Sequence, residues 1–197
     1  GFNMKLDNDW EMRYQSGQTG WDRGETSANL LHWIELGILK PCRILIPACG
    51  NGYEVVTLAE KGFDVVAIDI AASPLATLKD VLRTKNLNAE LIQADFFTWQ
   101  PDQPFNAIYE QTSLCALHPE QWTAYERCLH NWLTDDGLLF AQFMQSKQEG
   151  GPPFHCDIAD MLMLFDAQYW QWSEQYETQV VHSSGKYEKL FCLKKNT

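Results

Sequence analysis

The sequence lacks any long run of apolar residues. A membrane-spanning helix needs about 20 consecutive, mostly apolar residues, and no stretch of this 197-residue chain comes near that length. The first residues also lack the charged and then apolar pattern of a secretory signal peptide. We therefore expect a cytoplasmic protein that has no membrane partner.

Basic residues are scarce as well. The chain has 15 Lys and Arg against 26 Asp and Glu, which gives a formal net charge of −11 at pH 7. Only Lys194 and Lys195, near the end, form a basic cluster. A protein that binds nucleic acid needs a basic surface to neutralise phosphates, so this balance argues against a nucleic-acid partner and favours a small molecule.

No Cys-x-x-Cys pair occurs in the chain. Its six cysteines are scattered, at Cys42, Cys49, Cys115, Cys128, Cys156 and Cys192. Zinc sites and disulfide frameworks use closely and regularly spaced cysteines, so we expect no disulfide and no metal site. Reduced thiols are the expectation for a cytoplasmic protein.

The most informative stretch spans residues 43–69 and reads RILIPACGNGYEVVTLAEKGFDVVAID. The apolar run from Ile44 to Ile46 predicts a buried parallel strand. A turn of small residues follows, then a helix over about 53–61 and a second strand over 63–68. Asp69 ends this unit, 20 residues after Cys49. Nucleotide-binding folds place a carboxylate on ribose hydroxyls at that spacing.

The third glycine of the dinucleotide fingerprint is missing. Gly50 and Gly52 supply the first two, and Val55 stands where the third would be. A pyrophosphate would fit this turn poorly, whereas a nucleoside without phosphate, such as S-adenosylmethionine, needs only a close approach to the backbone. The alternatives are an ordinary tight turn, a nucleotide-dependent oxidoreductase, and a protein that binds S-adenosylmethionine without transferring its methyl group.

The remaining sequence predicts three further parallel strands and an antiparallel ending. The third strand covers residues 89–94 and is followed by Asp95. The fourth covers 105–109 and is followed by Glu110. The fifth is LLFAQFM, after a turn at 135–137. The segments YWQWSEQYETQVV and YEKLFCLKK predict a hairpin. This count matches an α/β, Rossmann-like class I methyltransferase with a mostly parallel seven-stranded sheet. The length suits a single domain, with residues 1–40 as an N-terminal helical lid or extension and 41–197 as the core.

Helical periodicity adds expectations about packing. A short helix near the start shows Trp10, Arg13 and Tyr14 on one face. A second helix begins at Thr26 or Ser27 and runs to about residue 36. The apolar residues that we expect to be buried are Leu30, Leu31, Ile34 and Ile38 for the second helix, Trp122, Tyr125, Leu129, Trp132 and Leu133 for a later one, and Met161, Leu162 and Phe165 for a helix over 157–165.

Two aromatic pairs have two possible roles each. Trp10 and Trp21 lie beside a glycine-rich segment. They either pack under an N-terminal extension or cover a flat ring and a sulfonium, to which an aromatic face is attracted. Phe96 and Phe97 follow Asp95 and either sandwich an adenine or belong to the core.

Four segments of the chain carry a family resemblance. They are DWEMRYQSGQTGWDRG near the start, RILIPACGNG with Pro47 and Cys49, YEQTSLCALHPEQW after the fourth predicted strand, and GGPPF after the fifth. Together they cover most of residues 10–155, and they resemble the thiopurine S-methyltransferase family, including its halide and thiol methyltransferase branch and similar tellurite-resistance-type enzymes. The resemblance implies an S-adenosylmethionine-dependent methyltransferase for a thiol, a halide, a metalloid such as tellurite, or a thiopurine.

The resemblance also implies roles for individual residues. Trp10 and Leu45 would line the cofactor pocket, Asp69 would bind the ribose, and position 111 would lie close to the methionine moiety. The thiopurine branch typically has arginine at position 111 and the halide branch tyrosine, whereas this chain has Gln111; Asp69 replaces a typical glutamate of the thiopurine branch. The full set of expected cofactor-binding residues is Trp10, Trp21, Leu45, Pro47, Ala48, Gly50, Gly52, Asp69, Ile70, Asp95, Phe96, Glu110 and Gln111.

The expected chemistry needs little from the protein beyond positioning. The leaving group of a sulfonium is already activated, so the protein orients the nucleophile and excludes water, and no general base is obligatory. The acceptor-side candidates are Trp21, Gln111, Cys115 and Phe154, although Cys115 also fits a buried structural residue. His118 and His155 are either proton acceptors or plain surface residues. The oligomeric state is left open between a monomer and a weak dimer.

Overall fold

The structure is a computed structural model, and it describes residues 10–15, 24–173, 176–177 and 185–197. The chain divides into two compact units, residues 1–99 and residues 100–197. No helix in these described segments is both long and apolar enough to cross a membrane.

Unit 1 is a three-stranded parallel sheet with flanking helices. Strand β2 lies in the middle and pairs in parallel with both β1 and β3. The register pairs Pro47 with Ile68 and Asp69 with Gln93, so the carboxyl ends of the three strands meet at one edge. The elements of unit 1 are helix α1 over residues 10–15, α2 (Ala28–Glu35), β1 (Arg43–Pro47), α3 (Tyr53–Glu60), β2 (Asp64–Asp69), α4 (Ala72–Thr84) and β3 (Glu90–Gln93).

The apolar runs of β1 and β2 are buried as predicted. Ile44 and Leu45 have no exposed surface, and neither do Ala67 and Ile68. Continuous apolar sequence is the pattern of a parallel strand that is covered on both faces. The predicted strand, turn, helix, strand and terminal acid over residues 43–69 are therefore confirmed.

Helix α2 buries a different face from the one we predicted. Ser27 caps it, since the side chain accepts a hydrogen bond from Asn29 N. The buried residues are Asn29, Leu30 and Trp33, whereas Leu31 is 40% exposed. The expectation that Leu31 is buried was wrong. Leu30 and Trp33 are three residues apart and share one face of the helix, and the burial of the large Trp33 side chain turns that face toward the core.

Unit 2 is a mixed sheet. Strand β4 pairs in parallel with β5, and β5 pairs antiparallel with β8, which also pairs antiparallel with β6 and β7. The elements are β4 (Phe105–Glu110), α5 (Trp122–Trp132), β5 (Leu133–Gln145), α6 (Ile158–Leu164), β6 (Trp170–Trp172), β7 (Tyr176–Glu177) and β8 (Tyr187–Lys195). The predicted antiparallel ending is confirmed, since both β6 and β7 pair antiparallel with β8.

Two details of unit 2 correct the sequence-based prediction. The turn expected at 135–137 is absorbed into β5, where the pairing jumps from Phe105 with Leu133 to Ala107 with Leu138. Met161 is buried as expected in α6, but Leu162 is 51% exposed because this short helix covers the core with one face only. The stripe of α5, by contrast, is buried as predicted.

Candidate functional site

The turn after β1 has an unusual backbone. Ala48, Gly50 and Gly52 all have positive φ, at 52°, 55° and 76°. A side chain at Gly52 would meet Leu78 of α4 at 2.5 Å, so this glycine allows α4 to pack closely. A side chain at Gly50 would meet the Tyr14 hydroxyl at 2.7 Å. The two glycines thus let a helix and an aromatic side chain approach the turn.

Asp69 joins that turn to the end of β2. One carboxylate oxygen accepts a hydrogen bond from Gly50 N at 3.0 Å, and the other accepts one from Ala71 N at 2.8 Å. The residue is 5% exposed. Burial raises the pKa of the carboxyl, although the backbone N–H groups of Ala71, Gly50 and Ile70 partly lower it. A carboxylate has about four acceptor positions, so these three N–H groups leave roughly one for a ligand.

Glu11 was missed in the sequence analysis. Its carboxylate accepts hydrogen bonds from Ala72 N at 2.5 Å and from Ser73 N and the Ser73 hydroxyl, at the first turn of α4. Burial alone would raise the pKa of Glu11, but these hydrogen bonds hold it below its usual value. A carboxylate is favoured at a helix N-terminus, and Glu11 therefore stabilises the start of α4. Because α4 begins three residues after Asp69, these bonds attach α1 next to the end of β2.

The aromatic residues of the expected lid have different outcomes. Trp21 lies outside the described residues. Trp10 lies on α1, where the Arg13 guanidinium carbon stands 4.9 Å from the centre of the indole ring. One face of Trp10 therefore already contacts a cation of this chain.

The other residues of unit 1 that we predicted to contact the cofactor differ in their solvent exposure. Leu45 and Pro47 lie in the buried part of β1, and Phe96 is almost wholly buried. Ile70 and Asp95 are partly exposed after the carboxyl ends of β2 and β3. Asp95 also accepts a hydrogen bond from Phe97 N at 2.9 Å, which shapes its own turn.

Among the residues of unit 2 whose burial is described, Glu110 has the most deeply buried carboxylate. It is 1% exposed at the end of β4. Its Oε1 accepts hydrogen bonds from Leu114 N at 2.8 Å and from the hydroxyls of Ser113 and Tyr125. Its Oε2 has no partner within the described segments. Burial raises the pKa of Glu110 to about 7, and the nearby Glu188 adds to the rise.

Gln111 is held at both ends of its amide. The Tyr109 hydroxyl donates to Gln111 Oε1 at 2.8 Å. Gln111 Nε2 lies 3.1 and 3.3 Å from the two carboxylate oxygens of Glu188, a residue of β8 that is 3% exposed. The amide therefore has one orientation, with its N–H group directed at a carboxylate.

Two of the acceptor-side candidates, Cys115 and Phe154, come together in unit 2. Phe154 N donates to the Cys115 carbonyl at 2.7 Å, and the Phe154 ring packs edge-on against His118 with 5.5 Å between ring centres. Burial raises the pKa of the Cys115 thiol well above its usual value, with contributions from Cys156, Glu110 and Glu188. A thiol in this state is unreactive, which agrees with the structural reading of Cys115.

The two histidines have local partners. His118 Nδ1 accepts a hydrogen bond from Glu120 N at 3.2 Å and caps the short helical turn that precedes α5. His155 Nδ1 accepts one from Lys147 N at 3.1 Å, and its Nε2 lies 3.9 Å from Asp157. These bonds explain both side chains as turn-forming groups.

A signal for Glu188 was present in the sequence. In YEKLFCLKK it shares an alternating phase with Leu190, and both are buried. A carboxylate in the buried phase of a strand needs a polar partner, and Gln111 is one. Throughout the described ranges, no group of three or more His, Cys, Asp or Glu side chains has an arrangement that could hold a metal ion.

Comparison with solved structures addresses the fold. The 1,6-didemethyltoxoflavin-N1-methyltransferase of Burkholderia thailandensis, solved with S-adenosylhomocysteine, superimposes with a TM-score of 0.77 over 98% of this chain and 87% of that protein. The sequences are 17% identical, so the likeness concerns the fold alone. The expected Rossmann-like class I methyltransferase fold is confirmed.

Comparison with protein sequences addresses the family. Thiocyanate methyltransferase 1 of Brassica oleracea is 30% identical over 153 residues, which cover 76% of this chain and 68% of that protein. The thiopurine S-methyltransferase of Pseudomonas putida is 26% identical over 199 residues, which cover 90% of each. The family model described as thiopurine S-methyltransferase matches residues 5–196. With almost the whole chain matched, this protein belongs to the thiopurine S-methyltransferase family.

Proposed function

We propose that this protein transfers the methyl group of S-adenosylmethionine to a small nucleophile, with Asp69 holding the ribose. Its family membership confirms the expectation of an S-adenosylmethionine-dependent methyltransferase with a small-molecule acceptor. The observation that carries the role of Asp69 is its position at the carboxyl edge of unit 1, joined to the glycine turn by a 3.0 Å hydrogen bond. Open α/β sheets bind ligands outside the carboxyl ends of their strands.

The side chains at this edge fit a nucleoside. The carboxylate of Asp69 keeps an acceptor position for a ribose hydroxyl while the backbone N–H groups of Gly50 and Ala71 fix its orientation. Ala48 and Gly50 add little side-chain bulk at this edge, and Ile70 and Asp95 are partly exposed there. Bound S-adenosylmethionine supplies a methyl group on an activated sulfonium. The residues of this chain contribute orientation and exclusion of water.

The acceptor is a thiol, a halide, a metalloid such as tellurite, or a thiopurine. Support for a thiol-like acceptor comes from relatives whose names include thiocyanate and thiol methyltransferases. Gln111, Cys115 and Phe154 are our acceptor-side residues, with Gln111 also assigned to the cofactor. Cys115 and Phe154 are linked through the backbone hydrogen bond of 2.7 Å.

Labelled methyl transfer tests this function. The protein is incubated with methyl-labelled S-adenosylmethionine and each of a panel of thiols, iodide, thiocyanate, tellurite and thiopurines. Label in at least one acceptor above the protein-free background is the expected result. Saturable binding of S-adenosylmethionine without methyl transfer to any acceptor would favour a protein that only binds this cofactor. A saturable fluorescence change on titration with NADH would favour an oxidoreductase.

Calorimetry tests the role of Asp69 separately. Asp69→Ala should weaken S-adenosylmethionine binding at least tenfold while the fold, followed by circular dichroism, is retained. Asp64→Ala removes an exposed carboxylate from the opposite end of the same strand and is the matched control. Equal affinities for the wild type and Asp69→Ala would rule out the ribose assignment.

Three further features belong to this proposal. We infer one methyltransferase domain over residues 1–197, with residues 1–40 as its lid or extension. All six cysteines are free thiols, which agrees with a cytoplasmic protein. We infer a monomer or weak dimer, which sedimentation over a range of protein concentrations would test.

A further inference from the structure

Two carboxylates are held by neighbouring backbone amides at the end of β2. Ala71 N donates to Asp69 at 2.8 Å, and Ala72 N donates to Glu11 at 2.5 Å. Ser73 N, the next amide along the chain, also donates to Glu11. Because these amides are consecutive, the carboxyl groups of Asp69 and Glu11 lie side by side. They interact closely enough for Glu11 to contribute to the raised pKa of Asp69.

Helix α1 spans the residues that hold Asp69. One of its side chains, Glu11, binds the start of α4, which follows the amide of Ala71. Another, Tyr14, places its hydroxyl against Gly50, whose amide donates to Asp69 at 3.0 Å. Asp69 is accordingly only 5% exposed. The carboxylate of Glu11 therefore borders the space beside Asp69.

The anion position at the start of α4 is filled by the chain itself. Helix N-termini attract anions, phosphates among them, through their unpaired N–H groups. Residue Ala71 provides no side-chain cap for this 13-residue helix. The donors at its first turn are Ala72 N, Ser73 N and the Ser73 hydroxyl, and all three bind Glu11. A phosphate at this edge would have to displace that carboxylate or lie beside it.

The charge beside Asp69 is opposite to that of a site for a phosphorylated ribose. Nucleotide folds that bind NADP provide an arginine for the ribose 2′-phosphate, whereas an acid binds an unmodified ribose. Here the acid is Asp69, and its neighbour is a second carboxyl group, that of Glu11. Arg13, a cation of α1, lies 4.9 Å from the centre of the Trp10 ring.

Resting on the proposed function, we propose that Glu11 is a specificity-determining residue: its charge restricts the site at Asp69 to nucleosides without a phosphate on the ribose 2′ or 3′ oxygen. A ribose hydroxyl can donate to the remaining acceptor position of Asp69, whereas a phosphate dianion has no proton to donate. The dianion would also face the carboxylate of Glu11, and like charges repel strongly in a poorly hydrated site.

This selection complements that of the glycine turn. The turn lacks the third glycine of the dinucleotide fingerprint, which disfavours a pyrophosphate on the 5′ side of the ribose. Glu11 disfavours a phosphate on the other side. S-adenosylmethionine carries neither group, so both features favour it over a nucleotide such as NADP.

Displacement of labelled S-adenosylmethionine at equilibrium tests the proposal without turnover. The competitors are adenosine and adenosine 2′-monophosphate, at constant ionic strength, with each inhibition constant corrected for the affinity of that protein for S-adenosylmethionine. The inhibition constant of the phosphate should exceed that of adenosine at least about tenfold in the wild type. Glu11→Gln keeps an oxygen acceptor for Ala72 N without the charge, and it should lower this ratio about tenfold.

Two controls separate position from charge. Glu35→Gln removes the same charge at an exposed position of α2 and should keep the wild-type ratio. Adenosine 5′-monophosphate carries its phosphate on the other side of the ribose, and its inhibition constant should be the same in Glu11→Gln and the wild type. An equal change for both phosphates would show a general effect of charge and would overturn the assignment to Glu11.

A second variant, Glu11→Ala, removes the carboxylate together with its contact to α4. Its ratio should fall as in Glu11→Gln, and if it does not fold, as followed by circular dichroism, the Glu11→Gln ratio decides. A ratio near one in the wild type, or a wild-type ratio in Glu11→Gln, would overturn this proposal alone. A wild-type protein that does not bind labelled S-adenosylmethionine would overturn the proposed function as well.

Discussion

Gln111 and Glu188 form a direct side-chain pair, with Gln111 Nε2 3.1 and 3.3 Å from the two carboxylate oxygens. The two residues are separated by most of unit 2 in sequence, and they connect the segment after β4 to the start of β8. The pair fixes both the orientation of the amide and the position of a buried carboxyl group.

Removal of the amide should therefore destabilise the fold. Gln111→Ala leaves the carboxylate of Glu188 without this donor, and the expected cost is about 1–3 kcal/mol in the free energy of unfolding. Urea denaturation measures it. Gln148→Ala, at an exposed position, is the control and should change stability by less than about 0.5 kcal/mol. Equal stability of Gln111→Ala and the wild type would show that the pair contributes nothing.

Glu110 should make stability depend on pH. Its pKa is raised by burial to about 7, so the folded protein keeps a proton that the unfolded chain loses above about pH 4.5. The free energy of unfolding should then fall as pH rises from about 4.5 to 7, by at most about 3 kcal/mol from this group.

Denaturation curves of Glu110→Gln across that window check the prediction. The variant cannot ionise, so the slope between pH 4.5 and 7 should be smaller than for the wild type. Glu120→Gln, at an exposed position, should keep the wild-type slope. Parallel curves for the wild type and Glu110→Gln would contradict the raised pKa.

Glu11 should stabilise the start of α4. Glu11→Ala removes the acceptor for Ala72 N and Ser73 N, and loss of such a cap costs about 0.5–2 kcal/mol. Because the pKa of Glu11 is lowered, its contribution is present above the usual carboxyl pKa and is lost as pH falls through the lowered value.

Hydrogen exchange at Ala72 and Ser73 is the sensitive measurement for this contact. Both amides should exchange faster in Glu11→Ala, while Met12→Ala on the same helix, at an exposed position, should leave them unchanged. Unchanged exchange in Glu11→Ala would mean that α1 does not cap α4.

Gly52 should be required by packing as well as by backbone conformation. Gly52→Ala places a methyl carbon 2.5 Å from Leu78 and forces alanine into a positive φ of 76°. Overpacking typically costs about 1–3 kcal/mol, and the backbone strain adds to it. Gly62→Ala has a similar φ of 86° with open space around it, so it reports the backbone part alone.

A double mutant separates the two causes. The loss in free energy of unfolding for Gly52→Ala combined with Leu78→Ala should be smaller than the sum of the losses for the two single variants. The reason is that Leu78→Ala removes the side-chain atoms with which the new methyl group would clash. Additive costs, with Gly52→Ala no worse than Gly62→Ala, would show that Leu78 does not restrict this position.

Local patterns predicted unit 1 well. Continuous apolar runs and a glycine turn are short-range signals, and they placed β1, α3, β2 and Asp69 within a residue or two of their observed bounds. The corrected details depend on tertiary packing. Leu31 and Leu162 fit helical stripes in the sequence, but the core accepts only one face of each helix.

The site was less predictable because its polar contacts span long sequence distances. Glu11 forms hydrogen bonds with the start of α4, and Gln111 forms one with Glu188 of β8. No local sequence motif predicts either contact. The sequence predicts Gly52 as a cofactor contact, but its close packing against Leu78 of α4 could not be read from a local pattern. The vacant oxygen of Glu110 became visible only when its donors could be counted around the folded carboxylate.

The most direct test of the account is product stoichiometry in a single reaction. Wild-type protein is mixed with S-adenosylmethionine and 2-mercaptoethanol, and the methyl thioether and S-adenosylhomocysteine are quantified together by mass spectrometry. The account predicts equal amounts of the two products, formed at least tenfold more slowly by Asp69→Ala when S-adenosylmethionine is below saturation. Absence of the thioether, or an equal rate in Asp69→Ala, would contradict it.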